Sequence, residues 1–388
     1  MPIINRIGDY HEEMKGWRRH IHANPELMFD CHETADFVVA RLKDFGIEQI
    51  ETGIATSGVV AIVDGQGDGP TIGLRADMDA LPMTEVTGLD YASGTPGKMH
   101  ACGHDGHTTM LLGAAKYLAE TRNFKGRVAL IFQPAEEGGG GADVMVKEGV
   151  LEKHDISEVY ALHNLPGLPV GQFETVPGPI MAAVDTLDVT ITGTGAHAAY
   201  PHEGVDPVIC AASMVQNLQS IVSRNVNPMH QVVLSVTQIH TGTVHNVIPD
   251  TATVQATVRT FNRETRDMVV ARIAEIVNGT ATAFGCTAEH SLWDGYPATV
   301  NDPAKTDFAA KVAGDIVGAD NVSTDAVPSM GAEDFSFMLN ERPGAYLFVG
   351  NGDSAMLHNT SYNFDDDVSV YGASFFAKIV ETAQPVDA

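Results

Sequence analysis

Nine consecutive residues, Met99-His100-Ala101-Cys102-Gly103-His104-Asp105-Gly106-His107, gather a thiol, three imidazoles and a carboxylate. Two later segments carry matching chemistry: Gln133-Pro134-Ala135-Glu136-Glu137 and Leu357-His358-Asn359. Thiolates, imidazoles and carboxylates are the ligands of divalent transition metals. A carboxylate left off the metal can move protons. Together the segments imply metal-assisted hydrolysis. A structural zinc site would need a second close ligand pair, and none follows Cys102 at that spacing. A Cys102 nucleophile with a histidine base is a further reading, and it requires activity without metal.

Glu136-Glu137 follows the apolar run Val128–Phe132. Successive strand residues face opposite sides, so the pair is expected to divide its work between ligand and base. The glycines at 138–141 let backbone crowd close to something. Asp77-Met78-Asp79 places two carboxylates on one face. They read either as a buried pair neutralised by Arg75 and backbone N–H groups or as a support that orients a ligand. His100 and His107 read as supporting residues.

The elements that must position these residues follow from hydrophobic spacing. Residues 9–22 and 33–45 have helical periodicity, the second ending at Gly46. Val59–Val63, Thr71–Leu74, Val128–Phe132 and Val159–Leu162 read as strands, with helices at 107–120 and 141–148 between them. Alternating strands and helices imply an α/β fold with a mostly parallel sheet. Its candidate site residues follow the strands, where open α/β sheets bind ligands. The pattern then changes. Strands at 184–192, 232–239, 251–260 and 286–293, with helices at 206–222 and 264–284, give the order β-α-β-β-α-β of a ferredoxin-like unit. It is placed as an inserted domain at 183–296, within a catalytic metal-binding domain of 1–182 plus 297–388. A helix at 304–317, a strand at 345–349 and a helix at 369–382 complete the latter.

The 388 residues favour two domains. A net charge of −27, from 23 basic and 50 acidic residues, argues against nucleic acid and anionic membranes as partners. An anionic substrate must therefore meet positive charge supplied locally. The four cysteines, Cys31, Cys102, Cys210 and Cys286, form no dense framework and point to a reducing, cytoplasmic setting. Met1-Pro2-Ile3-Ile4-Asn5-Arg6 has no basic segment followed by an apolar run, so no secretory signal is expected.

Four motifs carry a family resemblance: Arg75–Pro82; His100-Ala101-Cys102-Gly103-His104-Asp105; Gln133 to Ala142; and Gly195-Ala196-His197-Ala198-Ala199-Tyr200-Pro201-His202-Glu203-Gly204-Val205-Asp206-Pro207. The chain resembles the M20 family of metallopeptidases and aminoacylases. Within it, the likeness is to the group of hippurate hydrolases, N-acyl-amino-acid amidohydrolases and auxin-conjugate hydrolases. The resemblance implies a zinc-peptidase-like α/β catalytic domain with an inserted α+β lid and dimerisation domain. It implies two divalent ions, Mn²⁺ or Zn²⁺ with Co²⁺ or Ni²⁺ as alternatives. Cys102, His104, Glu137, His163 and His358 would be the ligands, with a bridging Cys102 as one arrangement the thiolate allows. Glu136 would be the general base and Asp79 would stand behind the ligands. Relatives have His-x-Asp where this chain has Asp77-Met78-Asp79, so no ligand role carries over to Asp77, and Cys102 compensates.

The same resemblance implies that His197 reaches across a dimer interface to the oxyanion, with His202 as its neighbouring competitor. Asn246 and Arg259 would hold a substrate carboxylate. The implied substrate is an N-acyl-L-amino acid, hippurate-like, with a dipeptidase or deacetylase activity as the alternative. The implied assembly is a homodimer or a dimer of dimers. A non-catalytic binding module would have lost Glu136 or several ligands, and none is lost here.

Overall fold

Val128–Phe132 has no polar residue to give it a solvent face, and it forms the middle of a strand buried from Val128 to Gln133. The same logic builds the rest of the main sheet. The computed structural model describes residues 4–387. The chain falls into two compact units. One holds the residues up to Ile180, Thr299–Val327 and the chain from Asp334 onward. The other holds Met181–Ala298 and Pro328–Glu333.

After a one-turn helix at Asn5–Gly8, the first unit continues with helices α1 (His11–Ala23) and α2 (His32–Asp44) and strands β1 (Gln49–Ile54), β2 (Gly58–Asp64) and β3 (Thr71–Asp77). Helix α3 (His104–Thr121), strand β4 (Arg127–Gln133), helix α4 (Gly141–Lys147) and strand β5 (Ile156–Leu165) follow. The second unit contains β6 (Ala183–Thr192), α5 (Pro207–Ser220), β7 (Val232–Thr241), β8 (Thr251–Thr260), α6 (Arg263–Ala283) and β9 (Thr287–Asp294). The chain returns to the first unit with α7 (Pro303–Val317), β10 (Gly344–Gly350) and α8 (Val368–Ala383).

The main sheet runs β1-β2-β4-β3-β5-β10 and ends in the short strands Phe173–Glu174 and Val322–Ser323. Its centre, β4-β3-β5-β10, is parallel, and β1 and β2 are antiparallel additions at one edge. Strand β1 escapes hydrophobic patterning because an edge strand needs few apolar residues; most of Gln49–Ile54 is exposed or half-buried. Leu74, Leu111, Leu130, Phe132, Leu347, Phe375 and Phe376 lie in one apolar core. Each such side chain contributes about 1.5–3 kcal/mol on burial.

Helix α3 starts at His104, three residues before the sequence-based start at residue 107. Gly103 takes the left-handed conformation, φ 91°, and turns the chain straight into the helix. His104 and His107 therefore share one face of the first turn, with ring centroids 5.4 Å apart.

In the second unit the sheet order is β7-β8-β6-β9, every neighbour antiparallel. Along β6 burial alternates residue by residue, and Leu187, Val189 and Ile191 join Val254, Met214, Ile273 and Val277 in a separate core. This unit takes up Pro328–Glu333, which periodicity had left with the rest of the chain. The reason is local: the Ala182 N–H donates to the carbonyls of Ser329 at 3.0 Å and Gly331 at 2.9 Å. All four cysteines are buried and unpaired. Among the described residues no helix is long and apolar enough to cross a membrane.

Candidate metal centre

Strands β3, β4 and β5 run parallel and deliver their carboxyl ends side by side. Strand β3 ends at Asp77 and leads to Asp79. Strand β4 ends at Gln133, and the chain then turns at Ala135, which has φ 58°. Glu136 and Glu137 thus lie in a turn, where strand alternation does not apply. Asp79 shapes this turn: its two oxygens accept the N–H groups of Glu136 at 2.9 Å and Glu137 at 3.1 Å. The turn returns so closely that a Cβ on Gly141 would meet the Pro134 carbonyl at 1.7 Å. His163 comes from β5. His358 sits in the loop after β10 with φ 61°. Its N–H donates to the Ala101 carbonyl at 2.8 Å, which ties this loop to the Cys102 segment.

The structure brings Cys102, His104, Glu136, Glu137, His163 and His358 together in the first unit. Donor atoms converge within 4.8 Å of one another in three sets: Cys102, His104 and His163; Cys102, Glu137 and His358; His104, Glu136 and Glu137. Cys102 Sγ lies 3.4 Å from His163 Nε2, and His358 Nε2 lies 3.3 Å from Glu137 Oε1. His163 Nδ1 donates to the Asn164 carbonyl at 2.7 Å, which leaves the Nε2 lone pair for the cluster.

These residues fit divalent metal. Among the described residues neither ring nitrogen of buried His104 makes a hydrogen bond, although Nδ1 lies 3.6 Å from Asp79 Oδ1 and Nε2 lies 3.8 Å from Asp77 Oδ2. A buried ring left in this state, amid a thiol and several carboxylates, is open to an ion as its partner. The electrostatics agree. Burial alone would lower His104, but Asp77, Asp79 and Glu137 outweigh it and raise the ring to about 10. Burial, with Glu137 and Glu136 beside it, pushes the Cys102 thiol well up. Burial and the neighbouring His107 hold His163 well below the usual histidine range. A mixed thiol, imidazole and carboxylate set suits borderline-soft ions.

Asp77 and His107 form the support. His107 Nδ1 hydrogen-bonds Asp77 Oδ1 at 2.6 Å, and His107 Nε2 accepts the Asn164 N–H at 3.0 Å. Both ring nitrogens are therefore engaged. Arg75 donates to Asp77 at 2.7 Å, Gln133 at 2.8 Å and Asp334 at 2.9 Å. Asp334 also accepts from Gln133 and from the Ala142 N–H at 2.9 Å. Arg18 and His22 on α1 are buried with Asp105 in the first turn of α3, and His22 Nδ1 lies 2.8 Å from Asp105 Oδ2. Sequence reading missed Asp334, Asn164, Tyr362, His22 and Arg18. Asn164 alone carried a signal, because it adjoins His163.

His197, Asn246 and Arg259 belong to the second unit. His197 pairs with Val247 in a short ladder, and the Ala198 N–H donates to the Asn246 carbonyl at 3.0 Å. His197 Nδ1 accepts the Ala199 N–H at 3.0 Å, which leaves the neutral ring's proton on Nε2. His202 is exposed in the one-turn helix Pro201–Glu203. Arg259 is half-buried on β8, donates to Thr257 Oγ1 at 2.6 Å, and makes no ion pair among the described residues. Asp185, the nearby carboxylate, is taken by Arg266.

An α/β sheet that presents such a donor cluster at its parallel strand ends defines a metal-dependent hydrolase. The chain belongs to peptidase family M20/M25/M40, whose profile matches residues 73–382. It is 41% identical to the hippurate hydrolase of Campylobacter jejuni over 379 residues, 98% of each chain. It is 42% identical to the N-acetyl-L-cysteine deacetylase of Bacillus subtilis, over 94% of this chain and 86% of that one. The solved structure of a dinuclear metal binding peptidase of the M20 family from Bacillus subtilis matches with a TM-score of 0.86 at 33% identity. That match covers 97% of this chain and 99% of the other. The protein is a metal-dependent amidohydrolase.

Proposed function

We propose that the chain hydrolyses the amide bond of N-acyl-L-amino acids, with benzoylglycine as the substrate of choice. The observation that carries this reading is the convergence of Cys102, His104, Glu137, His163 and His358 in overlapping donor sets, with Glu136 in one of them and His358 at the exposed side. The five are proposed as the ligands of two divalent ions, Zn²⁺ or Mn²⁺, with Co²⁺ or Ni²⁺ also accommodated. Cys102 and His104 each belong to more than one of the donor sets. When bound, such ions supply Lewis acidity to the attacking water and the scissile carbonyl.

The chain's own residues do the rest. Glu136, its backbone fixed by Asp79, takes the proton from water and delivers it to the departing amine. His197 donates from Nε2 to the oxyanion, in a homodimer or dimer of dimers where it serves the partner's site. Asn246 and Arg259 hold the substrate carboxylate. An arginine without an ion partner suits that role, because its fork matches a carboxylate bidentately. It also supplies the local positive charge that a protein of net charge −27 needs for an anionic substrate. Residues 183–296 would act as the lid and dimerisation domain. Four unpaired cysteines fit a reducing, cytoplasmic setting.

Likeness to an N-acetyl-L-cysteine deacetylase supports a second reading, removal of a small acyl group. A dipeptidase activity belongs to the same chemistry.

The test is turnover of benzoylglycine by metal-stripped protein, before and after separate addition of Mn²⁺, Zn²⁺, Co²⁺ or Ni²⁺. Activity is expected only with metal, and Glu136→Gln is expected to lower kcat by about 10²–10⁴-fold. Activity without metal would point to Cys102 as nucleophile. Turnover of N-acetyl amino acids but not of benzoylglycine would favour the second reading.

A further inference from the structure

Asn164 is fully buried and follows His163 in β5. Its side-chain amide does three things at once. Nδ2 donates to the Cys102 carbonyl at 2.6 Å and faces His107 Nε2 at 3.0 Å, and Oδ1 accepts the Tyr362 hydroxyl at 2.7 Å. The orientation of the amide is fixed by chemistry. The Cys102 carbonyl demands a donor and so takes Nδ2, while the single lone pair of His107 Nε2, which accepts the Asn164 backbone N–H at 3.0 Å, is shared with Nδ2. Tyr362 is also fully buried, and its N–H donates to the Asn359 carbonyl at 2.9 Å, in the loop that carries His358.

We propose that Asn164 and Tyr362 are a positioning pair that holds the His163 strand, the Cys102 loop and the His358 loop in register for metal binding. The proposal rests on the ligand assignment made above. Neither side chain belongs to the converging donor sets, so both act through the residues they hold. Other ties are pairwise, such as the His358 N–H to the Ala101 carbonyl. The Asn164 amide joins all three segments through one group. Removing the Tyr362 hydroxyl frees one acceptor and unties the His358 loop. Replacing the amide by a carboxylate sets an oxygen against the Cys102 carbonyl and the His107 lone pair.

The experiment uses the full chain, stripped of metal and titrated with Co²⁺ against a chromophoric chelator. The thiolate-to-cobalt absorption band and the melting temperature of the metal-free protein are recorded in parallel. Tyr362→Phe is expected to weaken Co²⁺ binding about 10-fold and to shift the band, and Asn164→Asp to weaken it by about 10–100-fold. The metal-free Tyr362→Phe protein is expected to melt within about 3 °C of the wild type. An unchanged affinity and band in Tyr362→Phe overturns the proposal. So does an affinity loss that appears only alongside a matching fall in metal-free melting temperature. Cys102→Ser separates the two levels of the argument. If the wild type binds no Co²⁺, or if its band survives Cys102→Ser, the ligand assignment itself fails and the positioning pair falls with it. If the band depends on Cys102 but not on Tyr362, only the positioning pair fails.

Discussion

Asp79 holds Glu136 by the backbone: the Glu136 N–H donates to Asp79 Oδ1 at 2.9 Å, while the other oxygen takes the Glu137 N–H at 3.1 Å. One carboxylate thus orders the turn that presents both glutamates. Asp79→Asn keeps the shape but exchanges one acceptor for an N–H that faces another N–H. Activity is expected to fall about 10–100-fold, as for other residues that orient a metal site. Steady-state kinetics checks this. An unchanged kcat/KM would mean that the turn holds its shape without Asp79.

Metal should also be a folding ligand. Cys102, Glu137 and His358 come from distant segments, so the unfolded chain presents no such site. Ligand at 1,000 times its Kd adds about 4 kcal/mol to stability. Chelation is therefore expected to lower the melting temperature of the wild type, and to lower that of Cys102→Ser by less. Thermal scans with and without chelator decide it. Equal melting temperatures for stripped and loaded wild type would contradict a preformed native site.

His22 gives the fold a pH dependence on the alkaline side. Its Nδ1 meets Asp105 Oδ2 at 2.8 Å and its Nε2 lies 3.3 Å from Glu85. Burial lowers the ring pKa, but Asp105 and Glu85 outweigh burial and raise it to about 9. The folded state binds the proton more tightly than the unfolded chain does. This stabilisation is fully present below about pH 6.5 and is lost as pH rises through about 9. Urea unfolding of metal-free protein is expected to show a decline on the order of 2 kcal/mol across that window. His22→Gln is expected to make it shallower, leaving the part that His104, raised to about 10, contributes in the metal-free protein. A wild-type curve flat from pH 6.5 to 9 would mean that His22 is neutral.

Much of the fold was legible because the first unit is built from apolar runs and glycine stops. Val128–Phe132 admits no other reading, and the alternation of Val184–Thr192 marks a half-buried strand. Cys102, His104, Glu136 and Glu137 were legible as a chemical cluster because each neighbours another in sequence. The support was not. Arg75 reaches Asp334 across 259 positions and Arg18 reaches Asp366 across 348. Only the folded sheet creates those pairings, and polar residues carry no period that could announce them. The placement of Glu136 and Glu137 in a turn was hidden for another reason: Ala135 adopts a positive φ that its residue type does not advertise.

Gly103 is where backbone and site meet. Its φ of 91° disfavours any residue with a side chain. A Cβ there would stand 2.2 Å from Asn164 Nδ2 and 2.6 Å from the Tyr362 hydroxyl. Neither atom is free to give way, because each is held by the hydrogen bonds that tie Asn164 to Cys102 and Tyr362 to Asn164. Gly103→Ala therefore combines backbone strain of about 1–3 kcal/mol with overpacking of about 1–3 kcal/mol. The expected loss in urea unfolding is about 2–5 kcal/mol, with metal binding weakened because Cys102 and His104 flank the displaced residue. A loss below about 1 kcal/mol would mean that the Cys102 loop shifts aside at little cost, and that its register with His163 is set elsewhere.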